Sequence, residues 1–243
     1  MRPPRWWWIA GTLVACSKLT EGSGGVVALE LRLPVQPAVE QNDTLTLRAR
    51  ALDAKGDSVA ATICWQTLDD SVLAIVPDSA DGTLAPCEYR TSRVTTSRTS
   101  GTARVQASTS GLRSDLISLT LRARSDTLRL TVPDSIVVAS GDTAPDTLGA
   151  VVESQNPAGG VSGTSILYEV MDTLSTRGTV ALNNGLLAYR AATGLNGAPV
   201  TAVVIRRIPG ATPPAAVQVR VSAGRPSGQP VPGSGQQFTI LYQ

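Results

Sequence analysis

Short runs in which apolar and polar residues alternate recur along nearly the whole chain. Leu45, Leu47, Ala49 and Ala51 alternate with Thr46, Arg48 and Arg50. Leu29, Leu31 and Leu33 alternate with Glu30 and Arg32, and Val105 and Ala107 with Arg104 and Gln106. Leu119 and Leu121 alternate with Thr120 and Arg122, and Val217, Val219 and Val221 with Gln218, Arg220 and Ser222. A period of two puts one side of a strand on a core and the other in water, the pattern of an antiparallel sheet with one wet face. Turn signals separate the runs: Lys55-Gly56-Asp57, Asp81-Gly82, Ser100-Gly101, Gly141-Asp142, Asn183-Asn184-Gly185 and Asn196-Gly197. Beyond the first sixteen residues no segment carries a sustained helical period. Many short strands spaced by turns predict an all-β chain built of antiparallel sandwiches.

The pattern comes twice. Leu29-Glu30-Leu31-Arg32-Leu33-Pro34 is echoed by Leu128-Arg129-Leu130-Thr131-Val132-Pro133, and Asp43-Thr44 by Asp142-Thr143, both at an offset of 99 residues. Two anchors in one register predict tandem domains, 26–124 and 125–223. Residues 122–126 leave little linker between them, so a stiff end-to-end rod is expected. Residues 224–235 hold four glycines and three prolines and read as a flexible linker. Phe238-Thr239-Ile240-Leu241-Tyr242 then returns to strand composition. It could close an edge of the second sandwich or be offered to a partner by β-addition.

The amino terminus carries a different signal. Arg2 and Arg5 precede a largely apolar run from Trp6 to Ala15. That run is too short to span a bilayer, which takes about 20 apolar residues, and reads as an export signal over residues 1–15. Its end, Leu13-Val14-Ala15-Cys16, resembles the lipobox of bacterial lipoproteins. The resemblance implies cleavage before Cys16, acylation of its thiol and of the new amino terminus, and a membrane partner through the lipid. Residues 16–25 would be the lipidated cysteine and a polar, glycine-rich tether. Ser17, where an aspartate tends to retain lipoproteins at the inner membrane, implies the outer membrane.

Residues 26–122 resemble a group 2 bacterial immunoglobulin-like domain. The early strand ends at Leu33-Pro34, and Asp43-Thr44 stands where such domains have a Gly-Asp-Thr-like turn, with Asn42 in place of the glycine. Ile63-Cys64-Trp65-Gln66-Thr67-Leu68-Asp69 is similar to the family's Val-x-Trp-x-Ser-x-Asp, and Gly101 to Ala107 to its Gly-x-Ala-x-Ile-x-Ala strand. The second repeat departs further, with Tyr168 at the tryptophan position. The resemblance implies tandem immunoglobulin-like sandwiches.

With Cys16 acylated, Cys64 and Cys87 remain, and export to an oxidising compartment makes a disulfide between them the expected state. Trp65 facing the core would leave Cys64 on the outer face of the same strand.

Chemistry beyond that is thin. Histidine is absent, which removes the usual triad. Glu153 and Glu169 are conceivable paired carboxylates, but read more simply as solvated strand residues. Asp69-Asp70 and Asp78 to Asp81 would suit calcium only as oxygen donors without an ordered loop motif, and Asp is common in turns. No catalytic residue, metal or cofactor is expected, and a net charge of +2 argues for no nucleic-acid partner. The expected function is a non-catalytic envelope spacer or adhesion module with a protein or glycan partner at the cell surface. The alternatives are an accessory subunit of an envelope assembly, docking by a sheet edge or the C-terminal strand, and a carbohydrate binder using Tyr89, Tyr168, Tyr189, Phe238 or Tyr242.

Overall fold

The computed structural model describes residues 25–34, 36–76, 87–88, 91–109, 111–139, 146–194 and 200–243. The alternating runs are strands with the expected sidedness. The first repeat holds β1 (Ala28–Arg32), β2 (Ala38–Glu40), β3 (Thr44–Leu52), β4 (Ser58–Val59), β5 (Ile63–Thr67) and β6 (Ala74–Val76). It continues with β7 (Cys87–Glu88), β8 (Thr91–Thr95), β9 (Ser100–Thr109), β10 (Leu112–Arg113) and β11 (Ile117–Arg122). One sheet runs β1-β3-β8-β6, with β4 beside β3; the other runs β2-β11-β9-β5-β7, with β10 beside β9. Leu45, Leu47, Trp65, Leu73, Val94, Val105 and Leu119 fill the space between them.

The second repeat holds β12 (Thr127–Leu130), β13 (Ser135–Val138), β14 (Asp146–Gln155), β15 (Ala158–Gly160), β16 (Ser165–Val170) and the single-turn helix α1 (Thr173–Thr176). Then come β17 (Val180–Leu182), β18 (Ala188–Ala192), β19 (Val200–Arg207), β20 (Ala216–Ala223) and β21 (Gln236–Tyr242). Its sheets run β12-β14-β19-β17, with β15 beside β14, and β13-β21-β20-β16-β18. Apart from β10, which has no counterpart, the wiring repeats that of the first sandwich. In both, the opening strand is split between the sheets, and its second part lies parallel to the last strand: β2 on β11, β13 on β21. All other pairings within the sheets are antiparallel, and the result is two immunoglobulin-like sandwiches. Leu128, Leu148, Tyr168, Val219, Phe238 and Ile240 belong to a second core cluster that shares no residue with the first.

Several sequence features find their physical reason here. Asn42 has φ 56, the left-handed region, and stands where the family resemblance expects glycine; asparagine is the side chain that best tolerates that conformation. Trp65 is 3% exposed while its neighbour Cys64 is half-buried on the opposite side of β5. Tyr168, at the tryptophan-like position of β16, is fully buried. Asp142-Thr143 lie outside the described residues.

The boundary at 223 needs correcting. The second sandwich ends with β21, which sits between β13 and β20. Residues 224–235 are therefore the connection between β20 and β21 rather than a free linker. Gly224 bridges Pro230, Val231 donates to Ala223 O at 2.9 Å, and the Val231 side chain is 1% exposed. Glycine and proline serve tight turns as well as flexible tethers, so composition alone misassigns such a stretch.

Candidate functional site

The residues singled out from sequence fall in separate places. Leu13, Val14, Ala15 and Cys16 lie outside the described residues, as do Asp78, Asp81 and Tyr89. The ladder between β5 and β7 sets Cys64 opposite Cys87, so the backbone brings the two cysteines to one edge of a sheet. Glu153 and Glu169 are not a pair. Glu153 lies on β14 and Glu169 on β16, in opposite sheets, and each is held by an arginine: Arg129 at 2.7 Å and Arg220 at 2.8 Å. The hydrogen bond from Arg129 holds the Glu153 carboxyl below its ordinary value, opposed by burial and aided to a lesser degree by the Arg129 charge.

Asp69 is likewise a structural tie. Its carboxylate accepts from the backbone N–H of Arg104 at 2.8 Å and from the guanidinium at 3.0 and 3.1 Å, which lowers its pKa. No group of three or more metal-ligating side chains forms among the described residues. Trp65, Tyr168 and Phe238 are buried, and Tyr189 and Tyr242 pack partly against the core, so these five aromatics assemble no flat sugar platform.

A dense polar cluster that no local sequence pattern announces lies, among the described residues, at the joint between the sandwiches. Glu40, at the end of β2, has a side chain with no exposed surface. Its Oε1 accepts from Arg122 Nη2 at 2.9 Å and from the Ser125 hydroxyl at 2.6 Å, and its Oε2 from the Ser125 N–H at 3.1 Å. Arg225 Nε, in the β20–β21 connection, stands 3.6 Å from Oε2. Arg225 also donates twice to the Ser125 carbonyl, at 2.9 and 2.7 Å. All three polar groups of Ser125, which is 0% exposed, are thereby engaged. Arg122 Nη1 reaches the Gly163 carbonyl of the second sandwich at 3.2 Å, and the Ser227 hydroxyl donates to Asp43 Oδ2 at 2.8 Å. One signal was present in the sequence: at the 99-residue offset, Glu40 corresponds to Ala139.

The strands also give the array a direction. At one end of β3, Leu52 O accepts from Val27 N–H, next to the first described residues; at its other end Asp43 meets Ser227. Nine residues separate these ends, about 30 Å at ~3.3 Å per residue. In the second sandwich β20 runs back toward the joint, so its start, α1 and residues 208–215 lie at the far end. There Leu174 of α1 is 92% exposed, and Asp172 caps the turn through the Ser175 N–H.

The chain matches no protein-family model and no characterised protein sequence. Solved structures do resemble it. The Yersinia pseudotuberculosis adhesin InvE is 14% identical over 90% of this chain, with a TM-score of 0.38; the chain spans 60% of that structure's length. The fibronectin(III)-like modules of Clostridium thermocellum CbhA are 13% identical over 89% of this chain and 94% of theirs, TM-score 0.40. The Escherichia coli adhesin FdeC is 14% identical over 88% of this chain and 64% of its own, TM-score 0.33. Likenesses of this strength carry no argument about function.

Proposed function

We propose that the chain is a lipid-anchored bacterial envelope protein whose two immunoglobulin-like sandwiches, of group 2 bacterial type, act as a spacer and binding module at the cell surface. The observation that carries the reading is the direction of the array: the tether end and the far loops lie at opposite ends of two sandwiches joined end to end. The lipid on Cys16, following the lipobox Leu13-Val14-Ala15, fixes one end at the outer membrane. Several acyl chains at about 0.8 kcal/mol per buried CH₂ make such an anchor stable. A Cys64–Cys87 disulfide would tie the short edge strand β7 to β5. The far loops, with exposed Leu174 on α1, are the surface presented to a protein or glycan partner.

The accessory-subunit reading retains only its sheet-edge form. β21 has neighbours on both sides, so the C-terminal strand is not available for donation.

The test is fractionation and protease accessibility on intact cells, comparing the unsubstituted chain with Cys16→Ala. The reading expects the unsubstituted chain in the membrane fraction and cleaved from outside, and the variant released. A protein protected until the outer envelope is opened would favour the assembly-subunit role. Unchanged membrane association of the variant would remove the anchor.

A further inference from the structure

We infer that Glu40 is an orientation lock: it fixes the angle between the two sandwiches, so that the pair moves as one rigid body. A carboxylate sealed from water is tolerated only where donors replace its lost hydration. Here those donors come from three separate segments: Arg122 at the end of β11, Ser125 in the connector, and Arg225 in the loop between β20 and β21. Turning the second sandwich about the connector would draw Ser125 and Arg225 away together. That would leave the buried carboxylate with Arg122 alone and strip Arg225 of its acceptors, so one orientation is strongly preferred.

Two further contacts oppose rotation about other axes. Arg122 donates to Gly163 O and Ser227 to Asp43, on different loops of the second sandwich. The connector cannot act as a hinge while the N–H, hydroxyl and carbonyl of Ser125 are all engaged.

The lock belongs to this joint and not to the fold in general. The ladder that pairs Glu40 with Arg122 in the first sandwich pairs Val138 with Tyr242 in the second. Its continuation reaches Ala139 and Gln243, where the Gln243 N–H donates to Val138 O. Neither residue can reproduce the buried ion pair. Buried ionic groups that add little net stability can still select one arrangement among several, and this cluster is placed to do so. The inference stands whether or not Cys16 carries lipid.

The test is an interspin distance measurement across the joint in the full chain. Spin labels on unnatural side chains would stand at the exposed positions Lys55 and Leu174. The unsubstituted chain should give one narrow distance peak. Glu40→Ala and Glu40→Gln should widen it at least threefold while far-UV circular dichroism keeps the β signal of the unsubstituted chain. Arg220→Ala, which removes the exposed pair with Glu169 on the outer face of the second sandwich, should leave the width unchanged. If Glu40→Ala unfolds the first sandwich, Arg225→Ala provides the same test from the other side and should give the same widening. A broad distribution in the unsubstituted chain, or Glu40→Gln and Arg225→Ala peaks as narrow as the original, would overturn the inference.

Discussion

Replacing Phe238 by alanine separates a structural last strand from a dispensable tail. Phe238 is fully buried, lies opposite Val219 on β20, and belongs to the core with Ile240. Burying and then emptying a phenylalanine site costs about 3–5 kcal/mol. Here β21 is paired on both edges, to β13 and β20, so the backbone has little freedom to collapse into the cavity. That places the loss in the upper part of the range, about 4 kcal/mol. With a urea slope of about 2 kcal/mol per molar, the midpoint of the second sandwich should fall by about 2 M. Gln237→Ala, on the wet side of the same strand, should change stability by less than about 0.5 kcal/mol. Far-UV circular dichroism follows both sandwiches. Trp65, the one tryptophan after residue 8, follows the first, so its transition should move much less. Equal and small shifts for Phe238→Ala and Gln237→Ala would refute the assignment of β21 to the core.

Gly233→Ala should cost about 1–3 kcal/mol in the same assay, because φ is +84° and an added Cβ would lie 2.5 Å from the Leu128 carbonyl oxygen. Gly228→Ala, at φ +88° with open space around it, should cost less, and an equal cost would contradict the close approach. Burial raises the phenol of Tyr168, and burial followed by the Asp146 charge raises that of Tyr242 to about 12, with Arg207 opposing. Both ionise near 10.0 in the unfolded chain, so the fold prefers the neutral forms; stability should be intact below pH 10 and decline as pH rises toward 12. Urea unfolding at pH 9 and 11 checks this, and Tyr168→Phe with Tyr242→Phe should flatten the decline. Cys64→Ser should lower the stability of the first sandwich by about 3 kcal/mol, read from Trp65 emission. Free-thiol counts in denaturant should rise from none in the unsubstituted chain, where Cys16 is acylated and the other two are bonded, to one in the variant, and two free thiols in the unsubstituted chain would contradict the bond.

Much of the fold is legible because strand sidedness has a period of two. Leu45, Leu47, Ala49 and Ala51 point inward as their alternation requires. The 99-residue offset joins β1 to β12 and β2 to β13, and sets Val39 and Val138, both buried, at matching positions. The offset fails later because the second repeat is longer, running from Thr127 to Tyr242 against Ala28 to Arg122. Val217, Val219 and Val221 then pass for a final strand although they form the penultimate one, and the turn-rich 224–235 hides the strand that follows. The joint is illegible for a different reason. Glu40 finds its donors 82, 85 and 185 residues later in the chain, and no local pattern distinguishes an acid that will be sealed from one that stays wet. The paired-carboxylate idea fails because Glu153 and Glu169 alternate correctly with apolar neighbours but on opposite sheets, a fact of topology rather than of spacing.

The mass of the natively expressed protein's amino-terminal peptide is the sharpest check on the proposed lipid anchor at Cys16. A lipid-anchored protein gives a peptide that begins at Cys16, lacks residues 1–15, and carries the added mass of acyl chains on both the thiol and the amino group. A peptide that retains residues 1–15, or an unmodified Cys16, would contradict the anchor.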